Sequence, residues 1–210
     1  MKLYDSPGAP SPRRVRIFLA EKGLTVDKVT LDLRRNEQMS AAFLAINPRG
    51  TLPALVLDDG TVLDESSAIC RFFEALHPQP PLFGETPGEI AMIDGWTRRI
   101  ETDGYQAVAN VFRNTMPAMK DRAVTGKWPP MPQIPELVER GRVMFDCFVR
   151  AVDERLADSE WIASDRYSFA DVSLLITMDF ARAAGITLPD GLEALARWYQ
   201  AASARPSASA

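Results

Sequence analysis

The stretch Asn47-Pro48-Arg49-Gly50-Thr51-Leu52-Pro53-Ala54-Leu55-Val56-Leu57, followed by Asp58-Asp59-Gly60-Thr61 and Leu63-Asp64-Glu65-Ser66-Ser67, decides the fold. Asn47-Pro48 stops whatever helix precedes it, because the residue before proline is pushed out of the helical region. Ala54 to Leu57 and Thr61 to Leu63 read as two strands. Asp58-Asp59-Gly60 joins them, and an Asp-Gly pair accepts the positive φ of a tight hairpin. Ile69, Phe72, Phe73 and Leu76 then follow at i, i+3, i+4, i+7, the stripe of an amphipathic helix that His77-Pro78 closes. Turn, proline, hairpin and helix start together expose backbone and short polar groups at one edge of a sheet.

Upstream, Met1 to Asp5 reads as a strand and Ser6-Pro7-Gly8-Ala9-Pro10-Ser11-Pro12 as a loop. A helix is expected from Pro12 with Ser11 as its N-cap, since proline at the first helical position loses no hydrogen bond. Val15, Phe18 and Leu19 form its apolar stripe with Ile17 beside them, and Gly23 ends it. Val29, Leu31 and Leu33 alternate with polar residues as a second strand, which completes a βαβ unit. Arg34 to Ser40 is expected to be loop, and Ala41 to Ile46 a short helix. The order is β-α-β-α-β-β-α.

Downstream, His77 to Pro87 carries Pro78, Pro80, Pro81 and Pro87 and reads as a linker. No strand follows it. Residues 88–115 are mostly helical, 116–135 a proline-rich loop, and 136–156 a long helix. Ser168-Phe169-Ala170-Asp171 has the form of a capping box with Asp in third place, opening an apolar helix over 172–183. Leu192, Leu195, Trp198 and Tyr199 mark a last short helix, and the tail 204–210 is expected to be disordered.

Composition narrows the function. The chain has 210 residues, 46% apolar and 25% charged, with a net charge of -4. That supplies a real core and argues against nucleic acid, which favours a basic face. No apolar run reaches the roughly 20 residues that span a bilayer, and Met1 to Asp5 has no signal-peptide core, so a cytoplasmic protein without membrane partners is expected. Cys70 and Cys147 are read as buried free thiols. His77 is the single histidine, which leaves no histidine-based metal cluster and little prospect of a Ser/His/Asp triad.

At this point the chain resembles a cytosolic glutathione transferase along nearly its whole length. Five features carry the resemblance: Tyr4 through Gly23; Asn47 through Leu55, similar to the family's cis-proline segment; Asp64-Glu65-Ser66-Ser67-Ala68-Ile69, similar to its Glu/Asp-Ser motif; the proline-rich linker; and Ser168 to Asp171. The resemblance implies a thioredoxin-like glutathione-binding domain over 1–77, a linker over 78–87 and an all-helical domain over 88–210. It also implies glutathione as co-substrate, no metal, a hydrophobic electrophile as second substrate, a homodimer and a role in detoxification.

Glutathione carries two carboxylates, one amine and one thiol. The family implies that its cysteinyl backbone pairs with the backbone of Leu52, exposed by a cis bond to Pro53; an ordinary trans proline opening the strand is the alternative. Ser66 at a helix N-terminus suits the γ-glutamyl carboxylate, and Glu65 suits its amine. Plain capping by Asp64 or Ser66 is compatible with both. The family implies a polar contact from Gln38 to the glycine end, with Arg34, Arg35 and Arg49 as further candidates for that carboxylate; a solvated loop is the alternative for each. The thiol must become a thiolate. Here Ala9 and Pro10 stand where relatives carry the catalytic serine or cysteine, and the Ser-Ser-Cys run of zeta-type isomerases is missing. Ser11 is the expected hydroxyl donor, with Ser6 and Tyr4 as runners-up and backbone N–H groups as the remaining source. Trp96, Tyr105, Phe112 and Met116 are candidates for the second substrate, which is expected between the domains. Peroxidase or disulfide-reductase activity is open. So is a non-catalytic member of the fold that binds glutathione, other ligands or protein partners.

Overall fold

The computed structural model describes all 210 residues, which form two compact units. One comprises Met1–Pro80 with Thr125–Pro129 and Ser209–Ala210; the other comprises Pro81–Val124 and Pro130–Ala208.

The first unit contains β1 (Lys2–Asp5), α1 (Pro10–Glu21), β2 (Lys28–Thr30), α2 (Ala41–Leu44), β3 (Ala54–Val56), β4 (Val62–Leu63) and α3 (Ser66–Leu76). The sheet order is β2-β1-β3-β4. β1 runs parallel to β2 and antiparallel to β3, with Leu3 opposite Leu55 and Tyr4 opposite Ala54. β4 returns antiparallel to β3 through the Asp58–Gly60 turn. This is the mixed sheet of a thioredoxin-like domain. Leu3, Leu55, Val15, Phe18, Ile69 and Phe73 form its core, with α1 and α3 packed together. Lys22 ties their C-terminal ends: its buried Nζ lies 2.5 Å from Glu74 Oε2 and donates to the carbonyls of His77 and Pro80. The Leu52–Pro53 and Gln79–Pro80 peptides are cis.

Two expectations change here. Helix α1 starts at Pro10 with Ala9 at the cap position, so Ser11 lies inside the first turn and is not the N-cap. Neither Pro10 nor Pro12 breaks that turn, because the first four helical N–H groups have no partner within the helix to lose. The polar segment before α2 is not open loop. It folds as two 3₁₀ turns, Leu33–Arg35 and Glu37–Met39, joined through Asn36 at φ 56° and braced by the Asp32 and Glu37 carboxylates on backbone N–H groups.

The second unit is all helical: α4 (Pro87–Arg99), α5 (Gln106–Thr115), α6 (Pro135–Leu156), α7 (Phe169–Ala183) and α8 (Glu193–Ser203). A π-helical segment, Ile100–Tyr105, joins α4 to α5 without a break. α7 is apolar on almost every face and is buried accordingly. Ser168 and Asp171 form the capping box: Asp171 Oδ2 accepts from the Ser168 N–H and hydroxyl at 2.9 and 2.8 Å. Asp171 Oδ1 accepts from the Ile162 N–H and Trp198 Nε1–H at 3.0 and 2.9 Å. Burial holds this carboxyl above its ordinary pKa, and those hydrogen bonds oppose the shift. Leu82 and Phe83 in the proline-rich stretch are buried, with Phe83 stacked on Phe169 at 4.4 Å.

Two further corrections fall in this half. The tail expected to be disordered forms a 3₁₀ turn, Pro206–Ser209, because the Arg205 guanidinium seats over the Tyr167 ring at 4.1 Å. Cys147 is exposed on α6; only Cys70 is buried. No helix is long and apolar enough to cross a membrane.

Candidate functional site

The turn before β3 is built by Asn47. Its side chain is buried; Nδ2 donates to the carbonyl and hydroxyl of Thr51 at 3.0 and 3.2 Å, and Oδ1 accepts the Arg49 N–H at 3.1 Å. Gly50 sits at φ +63°, and a Cβ there would lie 2.9 Å from Met39 Sδ and 3.4 Å from the Gln38 carbonyl. Glycine therefore lets the turn close onto the Glu37–Met39 segment. Gln38 is only 5% exposed, and its Oε1 has no hydrogen-bond partner. An amide oxygen left so costs about 1–3 kcal/mol. The β1–β3 pairing starts at Ala54, so half-buried Leu52 lies outside the ladder, just before the start of β3.

Helix α3 begins beside this turn. Glu65 holds the cap position but no side chain caps the helix, so neither Asp64 nor Ser66 plays that part. The helix start presents unpaired N–H groups and its positive dipole end. Ser66 is buried there, and Arg14 Nη1 donates to its Oγ at 3.4 Å. Arg14, in the first turns of α1, is 4% exposed. Its charge reaches far enough to oppose the burial that pushes the Cys70 thiol far above its ordinary value. A buried guanidinium, a hydroxyl and an uncapped helix N-terminus meet in one corner, the chemistry that an anion requires. Glu65 is exposed and its Oε1 lies 2.7 Å from Arg49 Nη1, which also lies 3.2 Å from Asp64 Oδ2. That contact raises the Arg49 pKa. Arg34 and Arg35 are exposed on their 3₁₀ turn.

The loop after β1 is held by Arg16, whose Nη1 lies 2.6 Å from Asp5 Oδ1 and whose Nη2 donates to the Pro7 carbonyl at 3.1 Å. The three hydroxyl candidates lie in it or on the elements it joins. Tyr4 is half-buried with its ring against Phe43 at 5.4 Å, Ser6 is buried, and Ser11 is half-buried in the first turn of α1. In the helical unit, Tyr105 and Phe112 both meet Phe180 at 5.3 Å. Trp96 is buried and Met116 exposed. No group of three or more His, Cys, Asp or Glu gathers to hold a metal.

The turn ahead of Leu52-Pro53 thus meets Asp64 and Glu65 through Arg49 and the Gln38 segment through Gly50, while Arg14 reaches Ser66 and Asn47 holds the turn, two residues to which the sequence reading assigns no such part. Arg14 had a signal. Arg14, Ile17 and Phe18 fall at i, i+3, i+4, which sets a cation on the apolar stripe. Asn47 had one too, as an Asn-Pro turn whose side chain can cap its own backbone.

Comparison with known proteins bears on this arrangement. The family model for the glutathione S-transferase N-terminal domain matches residues 9–76, and that for the C-terminal domain matches residues 125–206. The chain is 34% identical to glutathione S-transferase 2 of Saccharomyces cerevisiae, over 99% of this chain and 87% of that protein. It is 32% identical to a maleylacetoacetate isomerase of Pseudomonas aeruginosa, over 99% of this chain and 93% of that protein. A crystal structure of a glutathione S-transferase domain-containing protein from Marinobacter aquaeolei superimposes with a TM-score of 0.90 at 33% identity, over 99% of each chain. Two family models in the right order, full-length relatives above 30% identity and a shared fold give the same answer: the chain belongs to the cytosolic glutathione S-transferase family.

Proposed function

We propose that the protein is a glutathione transferase that binds glutathione along the Leu52-Pro53 edge, stabilises its thiolate and transfers it to a hydrophobic electrophile. The Arg14–Ser66 corner is the observation that carries this reading. The γ-glutamyl carboxylate meets the Ser66 hydroxyl, the N–H groups of α3 and the Arg14 charge. Glu65 faces the γ-glutamyl amine, Leu52 pairs with the cysteinyl backbone, and Gln38 offers its amide toward the glycine end. The thiolate sulfur then attacks the electrophilic carbon; a C–S bond forms and the leaving group departs with its electron pair. Glutathione is the co-substrate, no metal takes part, and the working assembly is the family's usual homodimer in a detoxification role.

A free cysteine-type thiol has a pKa of about 8.5, and nearby donors and a helix N-terminus lower it. Ser11, in the first turn of α1, is the side chain assigned to that task. Ser11→Ala should raise the pKa of enzyme-bound thiol, read from thiolate absorbance against pH. A titration identical to wild type would leave the thiolate to backbone N–H groups. Mixed-disulfide chemistry on a protein cysteine has no support at this edge: the loop lacks a cysteine, and Cys70 is buried with its thiol held protonated. Peroxide or disulfide reduction would therefore have glutathione itself supply both sulfurs.

The test is retention on immobilised glutathione followed by turnover of a chromogenic aryl halide. Retention without turnover of any electrophile tried would favour the non-catalytic, ligand-carrying reading instead. Ser66→Ala should weaken glutathione binding about fivefold, the loss of one hydrogen bond of about 1 kcal/mol, by calorimetric titration. Unchanged affinity would remove Ser66 from the carboxylate.

A further inference from the structure

The side chain of Arg16 turns back over the loop that leads into its own helix. Its Nη1 lies 2.6 Å from Asp5 Oδ1 and donates to the Ser6 carbonyl at 3.4 Å, and its Nη2 donates to the Pro7 carbonyl at 3.1 Å. The pair is shielded from water, with the Arg16 side chain 10% exposed and that of Asp5 6%. The Ser6 carbonyl also accepts the Ala9 N–H at 3.1 Å, so the turn that enters α1 closes on an oxygen that Arg16 holds. Asp5 ends β1, one residue past the last β1–β3 pair, Tyr4 opposite Ala54. Its own carbonyl accepts the Leu31 N–H at 2.8 Å. One planar fork thus ties three parts together: the end of the central strand, the loop, and the helix that carries the arginine.

The clamp matters because the entry to α1 is poor in donors. Pro10 and Pro12 have no N–H. The Ala9 N–H donates to the Ser6 carbonyl, and the Arg13 N–H to the Ala9 carbonyl at 3.2 Å. From Ala9 to Arg13, Ser11 is the one residue that brings both an N–H and a hydroxyl. A thiolate placed at this turn relies on a single residue, and a donor acts only where it is held; a misplacement of about 1 Å can cost roughly 100-fold in rate.

We infer that Arg16 is a positioning residue for the thiolate: through Asp5 and the Ser6 and Pro7 carbonyls it fixes the first turn of α1, and Ser11 with it, on the end of β1. This rests on the glutathione reading above and on the assignment of Ser11 made there. The two inward guanidinium groups of α1 then divide the work. Arg14 serves the carboxylate corner at Ser66, and Arg16 serves the thiol end without touching glutathione. Loss of Arg16 should therefore appear in the chemical step and not in binding.

The test compares wild type with Arg16→Met, Arg16→Lys and the double variant Asp5→Asn/Arg16→Met. The double variant opens the clamp without leaving a buried carboxylate unpaired, which keeps the comparison available if Arg16→Met alone does not fold. Glutathione affinity is read by calorimetry, the bound thiol by thiolate absorbance against pH, and kcat with a chromogenic aryl halide. In the double variant kcat should fall about tenfold, below the ceiling for a 1 Å displacement. The bound thiol should titrate closer to the free value of about 8.5, and the Kd for glutathione should stay within about twofold of wild type. Arg16→Lys keeps the charge without the fork and should recover part of the loss. Ser11→Ala added to the double variant should change little, because both act on one donor. Wild-type kcat and titration in the double variant would overturn the inference, as would a loss carried by Kd with kcat intact. The full Ser11→Ala effect persisting in the double variant would overturn it as well. A wild-type protein that does not bind glutathione would sink the glutathione reading, and a silent Ser11→Ala in the wild-type background would remove the donor assignment; both are seen before any Arg16 variant is made.

Discussion

Asp171→Asn is expected to cost about 3–5 kcal/mol of stability and to lower the melting temperature by roughly 10 °C. The reason is the count of donors. Asp171 is fully buried, and each carboxylate oxygen accepts two hydrogen bonds: from Ile162 and Trp198 on one side, from the Ser168 N–H and hydroxyl on the other. An asparagine is nearly isosteric, so no cavity forms. Its NH₂ must nevertheless face one of those pairs of donors, whichever way the amide turns. The Ser168 hydroxyl can rotate away; the backbone N–H groups and the indole cannot. One or two buried donors are left opposed or unpaired, at about 1–3 kcal/mol each, against a total stability of about 5–15 kcal/mol. Scanning calorimetry reads the shift, and the Trp198 indole N–H resonance should move with it. A variant melting within about 1 °C of wild type, a few tenths of a kcal/mol on this scale, would mean the four bonds contribute almost nothing net.

The same network shows what the sequence makes legible. Ser168-x-x-Asp171 is readable because a capping box is local: both partners lie within one turn. The Asp-Gly hairpin and the Asn-Pro stop are readable for the same reason. The partners on the other carboxylate oxygen, Ile162 and Trp198, are set by tertiary packing and leave no spacing to read. The start of α1 was misplaced because two prolines fit the same first turn, so local chemistry did not choose between them. The tail was misread because its anchor, Arg205 on Tyr167, joins residues far apart in the chain. Thr125–Pro129 is the sharpest case: its composition says loop, and nothing in it says that Lys127 will donate to the Arg49 carbonyl. The site divides along the same line. Leu52-Pro53 and Glu65-Ser66 sit in one continuous stretch, whereas Arg14 reaches Ser66 only after α1 packs on α3.

That late arrival makes Arg14 the residue whose loss should harm glutathione binding most. Arg14→Met keeps the apolar stem and removes the guanidinium. It should raise the Kd for glutathione about 30-fold, roughly 2 kcal/mol, the lower end for one partner of a buried, hydrogen-bonded charge pair. The size follows from burial: Arg14 is 4% exposed, so water screens its field little, and the loss should persist in high salt. Arg14→Lys keeps the charge without the planar fork and should fall between. Arg14 and Ser66 share a hydrogen bond and, in this reading, one carboxylate, so their effects should not add. Ser66→Ala should cost less in the Arg14→Met background than alone, and amidation of the γ-glutamyl carboxylate should erase most of the difference between wild type and Arg14→Met. Wild-type affinity in Arg14→Met, with the full Ser66→Ala effect retained, would place that carboxylate away from the corner where α1 and α3 begin.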